Sequence, residues 1–405
     1  MIKSCFNVLS LAVTGACLCF SVVVNAENFF STQELARIKS HGPWPPTVPP
    51  DPGNEYTGVN WAEEAGKLLF QDPRLSGAGD ISCATCHQQA NGFTDQRAVA
   101  VGREIHVRNT QTLLNAGLQR WFGWDGGTDS LWAAAMRPLL SEIEMAASVS
   151  SIAKYLRGAE AYQRFLRLTP DSEQVDIEEI TDEALAVKAA KLIAAYVRTI
   201  RSGVTAFDRY RNALVIDKDK DRNKDRNTGK GNGKLSESND FSASAKRGLK
   251  LFIGDANCHL CHYGANFSNG EFHDVGRPFI TSVGQVDPGR YSGIERVRTD
   301  RYNLVGRYNG TDKDNEIRKT RSVERSQADW GRWRTPGLRG LIYTAPYMHD
   351  GSIATLRDVV DAYSDIDPDR LHTEGESILR PLNLSEQQRQ DLVAFLESLS
   401  SLVNR

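Results

Sequence analysis

Mostly α-helix, arranged as two similar domains, is the fold class this sequence predicts, and three observations predict it. The pentapeptide Cys-x-x-Cys-His occurs twice, as CATCH from Cys83 to His87 and as CHLCH from Cys258 to His262. Each copy follows the same short pattern, EEAGKLLF from Glu63 to Phe70 and AKRGLKLF from Ala245 to Phe252, with apolar residues at helical spacing. Each half also closes on a longer helical stretch, ALAVKAAKLIAAYVRTI from Ala184 to Ile200 and SEQQRQDLVAFLESLSSL from Ser385 onward. In the second of these Ser385 and Gln388 make a capping box, and Leu392, Phe395 and Leu399 share one face.

The other elements follow in chain order. Residues 1–26 place Lys3 before an apolar run and end in Val24-Asn25-Ala26, the pattern of a secretory signal cut after Ala26. The arm, 27–60, contains HGPWPPTVPPDPGN, too rich in proline for helix or central strand, and is expected to run extended over the surface. The first domain is expected over 61–212 and the second over 242–405, joined by a polar linker loop at 213–241. From Asp217 to Asp240 that linker offers only Leu235 for burial. Its Asp217, Asp219 and Asp221 have the spacing of a calcium loop, but Arg222 stands where glycine is needed and Thr228 where glutamate is needed, so no EF-hand is read there. The insertion from Val275 to Trp333, rich in Arg and Gly, reads as mostly loop. A net charge of −2 on 405 residues, 25% of them charged and 40% hydrophobic, suits a soluble two-domain protein and gives no basic excess for nucleic acid. After the signal no segment is long and apolar enough to span a bilayer.

Cysteine usage narrows the chemistry. Cys5, Cys17 and Cys19 leave with the signal, and every other cysteine belongs to one of the two motifs. Cys-x-x-Cys-His is the attachment signature of c-type heme: the thiols become thioethers to the porphyrin and the histidine binds iron from the proximal side. A redox dithiol or half of a zinc site does not call for a following histidine twice over. Two covalently bound c-type hemes are therefore expected, one on Cys83, Cys86 and His87 and one on Cys258, Cys261 and His262. Such hemes are attached outside the cytoplasm, which fits an exported, periplasmic protein. His259 reads as a bystander.

Two regions offer groups for the far side of each iron. After the first motif Trp121, Trp124 and Trp132 crowd together with Glu142 and Glu144. A heme with an open distal face binds hydrogen peroxide, and cleaving its O–O bond wants a group that moves a proton from one oxygen to the other, which a carboxylate does. In the second half, TAPYMHDGSIATLRDVVDAY from Thr344 to Tyr363 holds a thioether, Met348, and a phenol, Tyr363. Thr355 is an N-cap candidate, and Leu356, Val359, Val360 and Tyr363 share a helix face, so Tyr363 points inward as a core residue or as a ligand. Thioether sulfur favours reduced iron and raises the potential, whereas phenolate-like oxygen supports high-valent iron.

FTD, RNTQTLLNA, GWDGGTDSL, RPLL…EM and RTPGLRGLIYTAPYMHDGSIATLRDVVDAY, set around the two motifs, resemble the bacterial di-heme cytochrome c peroxidase and MauG superfamily over nearly the whole mature chain. FSTQELARIKSHGPWPP, RWFGWDGGTDSLW and FHDVGRPF…VDPGRYSGIERVR are similar to the MbnH-type MauG-like enzymes, which act with a copper-associated partner, MbnP. The resemblance implies two cytochrome c-like heme domains. It implies that Trp124 lies between the hemes, Glu144 is the distal catalytic carboxylate and Pro138 the distal-pocket proline. It further implies a calcium ion between the hemes, held by Asn109 and the carbonyls of Thr344 and Pro346. At the position of Tyr363 the peroxidases carry methionine and the MauG-like enzymes tyrosine, so this chain sides with the latter.

The implied reaction starts with peroxide at the heme of His87 and passes one oxidising equivalent through Trp124 to the heme of His262 and Tyr363. The resulting bis-ferryl state is then discharged by oxidising tryptophan in a small exported partner, to kynurenine in the MbnH-like version. One departure is Ala256, which stands where MauG has its surface exit tryptophan; Trp330 or Trp333 would have to serve. A second is the loop after the first motif, where the peroxidases carry a histidine that closes the distal site at rest: here it is shorter and offers His106 out of clear register, so an open site is expected, with closure by His106 as the alternative. The alternatives are a di-heme peroxidase drawing electrons from a small cytochrome or cupredoxin, favoured by a Met348 ligand, and a non-catalytic electron-transfer protein, favoured by a closed first heme.

Overall fold

The computed structural model describes residues 29–51, 53–222, 240–276, 280–281, 284–310, 314–367 and 379–401. The signal segment 1–26 lies outside the described residues, as do 223–239 of the linker. The chain is mostly helical, with one short antiparallel ribbon that pairs β1 (Phe272–His273) with β2 (Trp333–Arg334). None of the described helices is long and apolar enough to cross a membrane.

Two crossings of like design organise it. Helix α2 (Asn60–Gln71) packs on α7 (Asp182–Thr199), and α9 (Ala243–Ile253) packs on α13 (Glu386–Glu397). At the first crossing a Cβ on Gly66 would collide with the Leu192 carbonyl oxygen; at the second, one on Gly248 would collide with the Asp391 carbonyl oxygen. Glycine is what lets these backbones approach so closely. Around the first crossing Leu69, Trp132, Met136, Ile152 and Leu192 form one core, and around the second Phe252, Phe267, Phe395 and Leu399 form another. Between α2 and α7 lie α3 (Cys83–Cys86), α4 (Leu131–Leu140), α5 (Val149–Gly158) and α6 (Glu160–Leu166). The Ser385 capping box forms as expected, Oγ accepting from Gln388 N–H and the Gln388 side chain accepting from Ser385 N–H.

Two expectations need correction, and the mostly loop insertion gains two helices. The arm is not extended throughout: α1 (Thr32–Ser40) opens on a Ser31–Glu34 capping box and buries Leu35 and Ile38 in the second core. Nor does the rest stay at the surface. His41 stacks on Phe267, Trp44 Nε1 donates to Ser202 O with Arg339 over its ring, and Asn54 donates to Lys191 O. The arm thus leans on both halves, because its aromatic and amide side chains find apolar rings and backbone carbonyls there.

The linker is helical at its start. Helix α8 (Ala206–Arg222) runs through Asp217 to Arg222, since Phe207 and Tyr210 anchor it in the second core and neither Pro nor Gly interrupts it. The insertion likewise holds α10 (Arg290–Thr299) and α11 (Asp314–Ser322). Arginine is a good helix former, and Ile294 and Val297, one turn apart, give α10 the buried face that its charged surroundings hide in the sequence. Among the described residues, α12 (Leu356–Ser364) precedes α13.

Candidate active site

Each Cys-x-x-Cys-His motif closes a tight turn whose histidine is oriented by backbone. His87 Nδ1–H donates to Phe93 O at 3.1 Å, and His262 Nδ1–H donates to Phe267 O at 3.0 Å. That bond fixes the tautomer and leaves Nε2 as the lone-pair donor a metal needs. Phe93 and Phe267 themselves sit at φ +60° and +53°, a left-handed conformation costing about 1–3 kcal/mol for such residues, and burial of both rings holds them there. Burial favours the neutral imidazoles, pushing His262 down to about 4 and lowering His87 as well. It also pushes the Cys83 and Cys258 thiols up to about 12 and Cys86 to about 11. A redox dithiol works through a depressed thiol pKa, which burial opposes at Cys83, Cys86 and Cys258.

A cavity opens beside each motif. The first, of about 460 Å³, is bordered by Cys83, Cys86 and His87 and, among others, by His106, Pro138 and Glu144. The second, of about 260 Å³, is bordered by Cys258, Cys261 and His262 and by Met348 and Tyr363. Trp124 and Asn109 border both. Trp124 is pinned there: its Nε1–H donates to Asn109 O at 2.9 Å, its own carbonyl accepts Arg334 N–H at 2.8 Å, and Asn109 N–H donates to His349 O at 2.7 Å.

The cavities fit the two c-type hemes the motifs call for. Arg334, 3% exposed, borders the second cavity and gives Nε–H to Gly123 O, yet among the described residues no carboxylate pairs with it. A buried guanidinium without a counter-ion costs several kcal/mol, and the propionates of a heme are carboxylates of the kind it lacks. Burial pushes its pKa down to about 10.

The structure also exposes a repeat that the sequence reading did not use. Phe122 pairs with Thr128 across a tight loop, and Tyr347 pairs with Ile353 across another of the same length. Within the loops Gly123 and Met348 occupy equivalent places at φ +82° and +74°, and Gly126 and Gly351 at +63° and +60°. A capped helix follows each: Ser130 Oγ accepts from Ala133 N–H ahead of α4, and Thr355 Oγ1 from Asp358 N–H ahead of α12. The eighth residue is Pro138 in α4 and Tyr363 in α12, and each borders its own cavity. Proline offers no ligand atom; tyrosine offers a phenol. The repeat sets His349 opposite Trp124, and His349 stacks on Trp333 with ring centroids 3.6 Å apart and 14° between planes.

Glu144 and Glu142 part company. Glu142 is exposed and borders neither cavity. Glu144 borders the first cavity in a two-pronged pair with Arg137, at 2.8 and 3.2 Å. Burial raises its pKa, but the charges of Arg137 and His106 and bonds from Ser141 and Arg137 outweigh that and hold it below the ordinary carboxylate range. Asn109, Thr344 and Pro346 all border the second cavity. The three tryptophans expected to crowd together serve different places: Trp132 is buried in the first core, Trp121 packs with Phe272 and Val297, and Trp124 alone borders the cavities. Trp333 is buried beside the second cavity, while Trp330 is half-buried against Tyr291. Sequence reasoning passed over Arg137, which pairs with Glu144 seven residues on, and Arg334 and His349, whose partners are remote in the chain; only the likeness of GWDGGTDSL to YMHDGSIATL could have pointed to His349.

Residues 62–214 match the family model described as di-haem cytochrome c peroxidase. The methylamine utilization protein MauG of Methylorubrum extorquens is 32% identical over 373 residues, covering 92% of this chain and 86% of the relative. The cytochrome-c peroxidase IdrP1 of a Pseudomonas species is 31% identical over 97% of this chain and 92% of its own length. Among solved structures, a MauG-like protein associated with microbial copper homeostasis superposes with a TM-score of 0.61 at 25% identity, covering 89% of this chain and 95% of that one.

Proposed function

The chain belongs to the di-haem cytochrome c peroxidase and MauG family of peroxide-dependent oxidoreductases, and from that premise we propose that it is a MauG-like enzyme, exported to the periplasm, that uses hydrogen peroxide to oxidise tryptophan in a second protein. The observation that carries this reading is the pairing of Pro138 in the first cavity with Tyr363 at the equivalent place in the second. Pro138 would offer no ligand to a heme held by His87, leaving it free to take peroxide, and the Tyr363 phenol, were it to bind the heme held by His262, would favour storing oxidising equivalents over relaying electrons at high potential.

When bound, the hemes supply peroxide cleavage and hold the two oxidising equivalents it yields. The chain's own residues do the rest. Glu144, ionised in its pair with Arg137, receives the proton from the oxygen nearer the iron and returns it to the departing oxygen, which leaves as water. Trp124, fixed by Asn109 and Arg334, lies where charge can pass between the cavities. Asn109 Oδ1 with the Thr344 and Pro346 carbonyls would bind calcium, a hard ion that takes oxygen ligands, and so hold the two halves of the site in register.

The partner we infer is a small exported, copper-associated protein of MbnP type, with tryptophan converted to kynurenine; the likeness to the copper-homeostasis structure supports this. The test is electron paramagnetic resonance and near-infrared absorption before and after one equivalent of peroxide. Loss of both ferric signals together, abolished in Tyr363→Phe, is the expected result; two low-spin hemes inert to peroxide until half-reduced would sink it. A second reading, a peroxidase fed by a small cytochrome or cupredoxin, is favoured by one observation: Met348 also borders the second cavity. Mass spectrometry of co-expressed partner separates the two, since only the first leaves an oxidised tryptophan.

A further inference from the structure

His106 sits in the first cavity with Glu144, Arg137 and Pro138, on a hairpin in which Val101 pairs with Ile105 and His106 N–H donates to Ala100 O at 2.8 Å. This hairpin is tied to the turn that carries the carboxylate: Arg103 N–H donates to Glu144 O and Glu104 N–H to Ile143 O, each at 3.0 Å. A Cβ on Gly102 would stand 2.7 Å from Glu144 Cα, so the two segments are in close contact. The histidine and the glutamate are thus held in one rigid unit.

The ring's orientation decides what it can do. His106 Nδ1 accepts the Arg108 backbone N–H at 3.0 Å. A neutral imidazole with Nδ1 accepting carries its proton on Nε2, and that nitrogen then has no lone pair for iron. Ligating the heme would require the other tautomer and would strand the Arg108 N–H. We propose that His106 is a catalytic hydrogen-bond donor of the peroxide site, its Nε2–H holding the outer oxygen of hydrogen peroxide while Glu144 moves the proton, and that it is not a resting ligand of the first heme.

The proton count closes without a further reactant. The inner oxygen loses its proton to Glu144, the outer oxygen keeps the O–O bonding pair and takes that proton, and water leaves. His106 keeps its Nε2 proton throughout. The charged groups facing its ring are Glu144 and Arg137 from the α4 side, Arg108 on its own loop and Asp287 from the insertion, the last two paired with each other at 2.7 and 2.8 Å. The inference rests on the peroxide reading of this cavity.

The test compares the ferric holoenzyme with His106→Leu and His106→Gln, using fluoride as a probe of the open iron and following the peroxide reaction by stopped flow. Fluoride bound to iron accepts a hydrogen bond from a distal donor, and its charge-transfer band moves accordingly. Expected is fluoride binding about tenfold weaker in His106→Leu with a displaced band, a slower peroxide reaction, partial recovery of both in His106→Gln, and an unchanged resting high-spin signal. A His106→Leu enzyme that binds fluoride and consumes peroxide like wild type overturns the inference and leaves the peroxide reading standing. Appearance of a new high-spin signal in that variant also overturns it, since His106 was then a ligand. A wild-type enzyme that neither binds fluoride nor reacts with peroxide removes the peroxide reading and the inference with it.

Discussion

The two heme-bearing halves share a scaffold and differ in what faces the iron. Both orient the proximal histidine with a carbonyl borrowed from a left-handed phenylalanine, both cross their flanking helices at a glycine, and both send a capped helix along the distal side. Into that common frame the first half places Pro138 with Glu144, Arg137 and His106, and the second places Tyr363 with Met348 and Arg334. The first set holds proton carriers and leaves the ligand position without a donor atom; the second supplies donor atoms and an arginine suited to propionates. On the function proposed above, one duplicated fold divides a reaction into a place where peroxide is cleaved and a place where oxidising equivalents wait, by exchanging a few distal side chains.

The sharpest way to break the comparison is to make the halves alike. Pro138→Tyr should place a phenol at the first iron, remove the high-spin signal at rest and abolish the peroxide reaction, while Tyr363→Met should raise the second heme's potential in a redox titration. An unaltered resting spectrum in Pro138→Tyr would show that the two helix positions are not equivalent toward iron.

Next in size is Glu144→Gln, expected to slow the peroxide reaction about 10²–10⁴-fold with the resting spectra unchanged. A normal rate would move the proton-carrying role elsewhere in the cavity. The crossings offer a structural version of the same comparison. Gly66→Ala and Gly248→Ala should each cost about 1–3 kcal/mol by denaturant unfolding of the holoprotein, and by similar amounts, because each drives a methyl into a carbonyl oxygen. A large loss at one and none at the other would show that only one crossing is tight.

The smallest effect concerns pH. Glu144 is held below the ordinary carboxylate range, so its pairing with Arg137 stabilises the fold above the unfolded carboxylate pKa and is lost as the pH falls through the lower folded value. Its proton-accepting form persists over the same window. Removing the guanidinium in Arg137→Leu lets burial prevail, and the acid limb of the peroxide rate profile should move to higher pH; an unmoved limb would assign that limb to another group.

Much of this was legible in the chain because it is local. The paired motifs, the helix before each, the closing capping box at Ser385 and the inward face carrying Tyr363 are all set by spacing over a few residues, and spacing survives without tertiary information. The arm's burial of His41, Trp44 and Asn54, the helix hidden among the arginines of the insertion, and α8 running into the polar linker were not legible, since each is stabilised by a face supplied from elsewhere in the molecule. The same division holds at the site. The sequence by itself determined which residues can attach heme and which types stand near it, because covalent attachment needs only a pentapeptide. Only the tertiary structure decided that Trp124 borders both cavities, that Glu144 is ionised against Arg137, and that His106 turns its Nδ1 to its own loop. The first brings segments far apart in the chain to one place; the other two join residues only a few positions apart, yet depend on backbone conformation, burial and field that spacing alone does not encode.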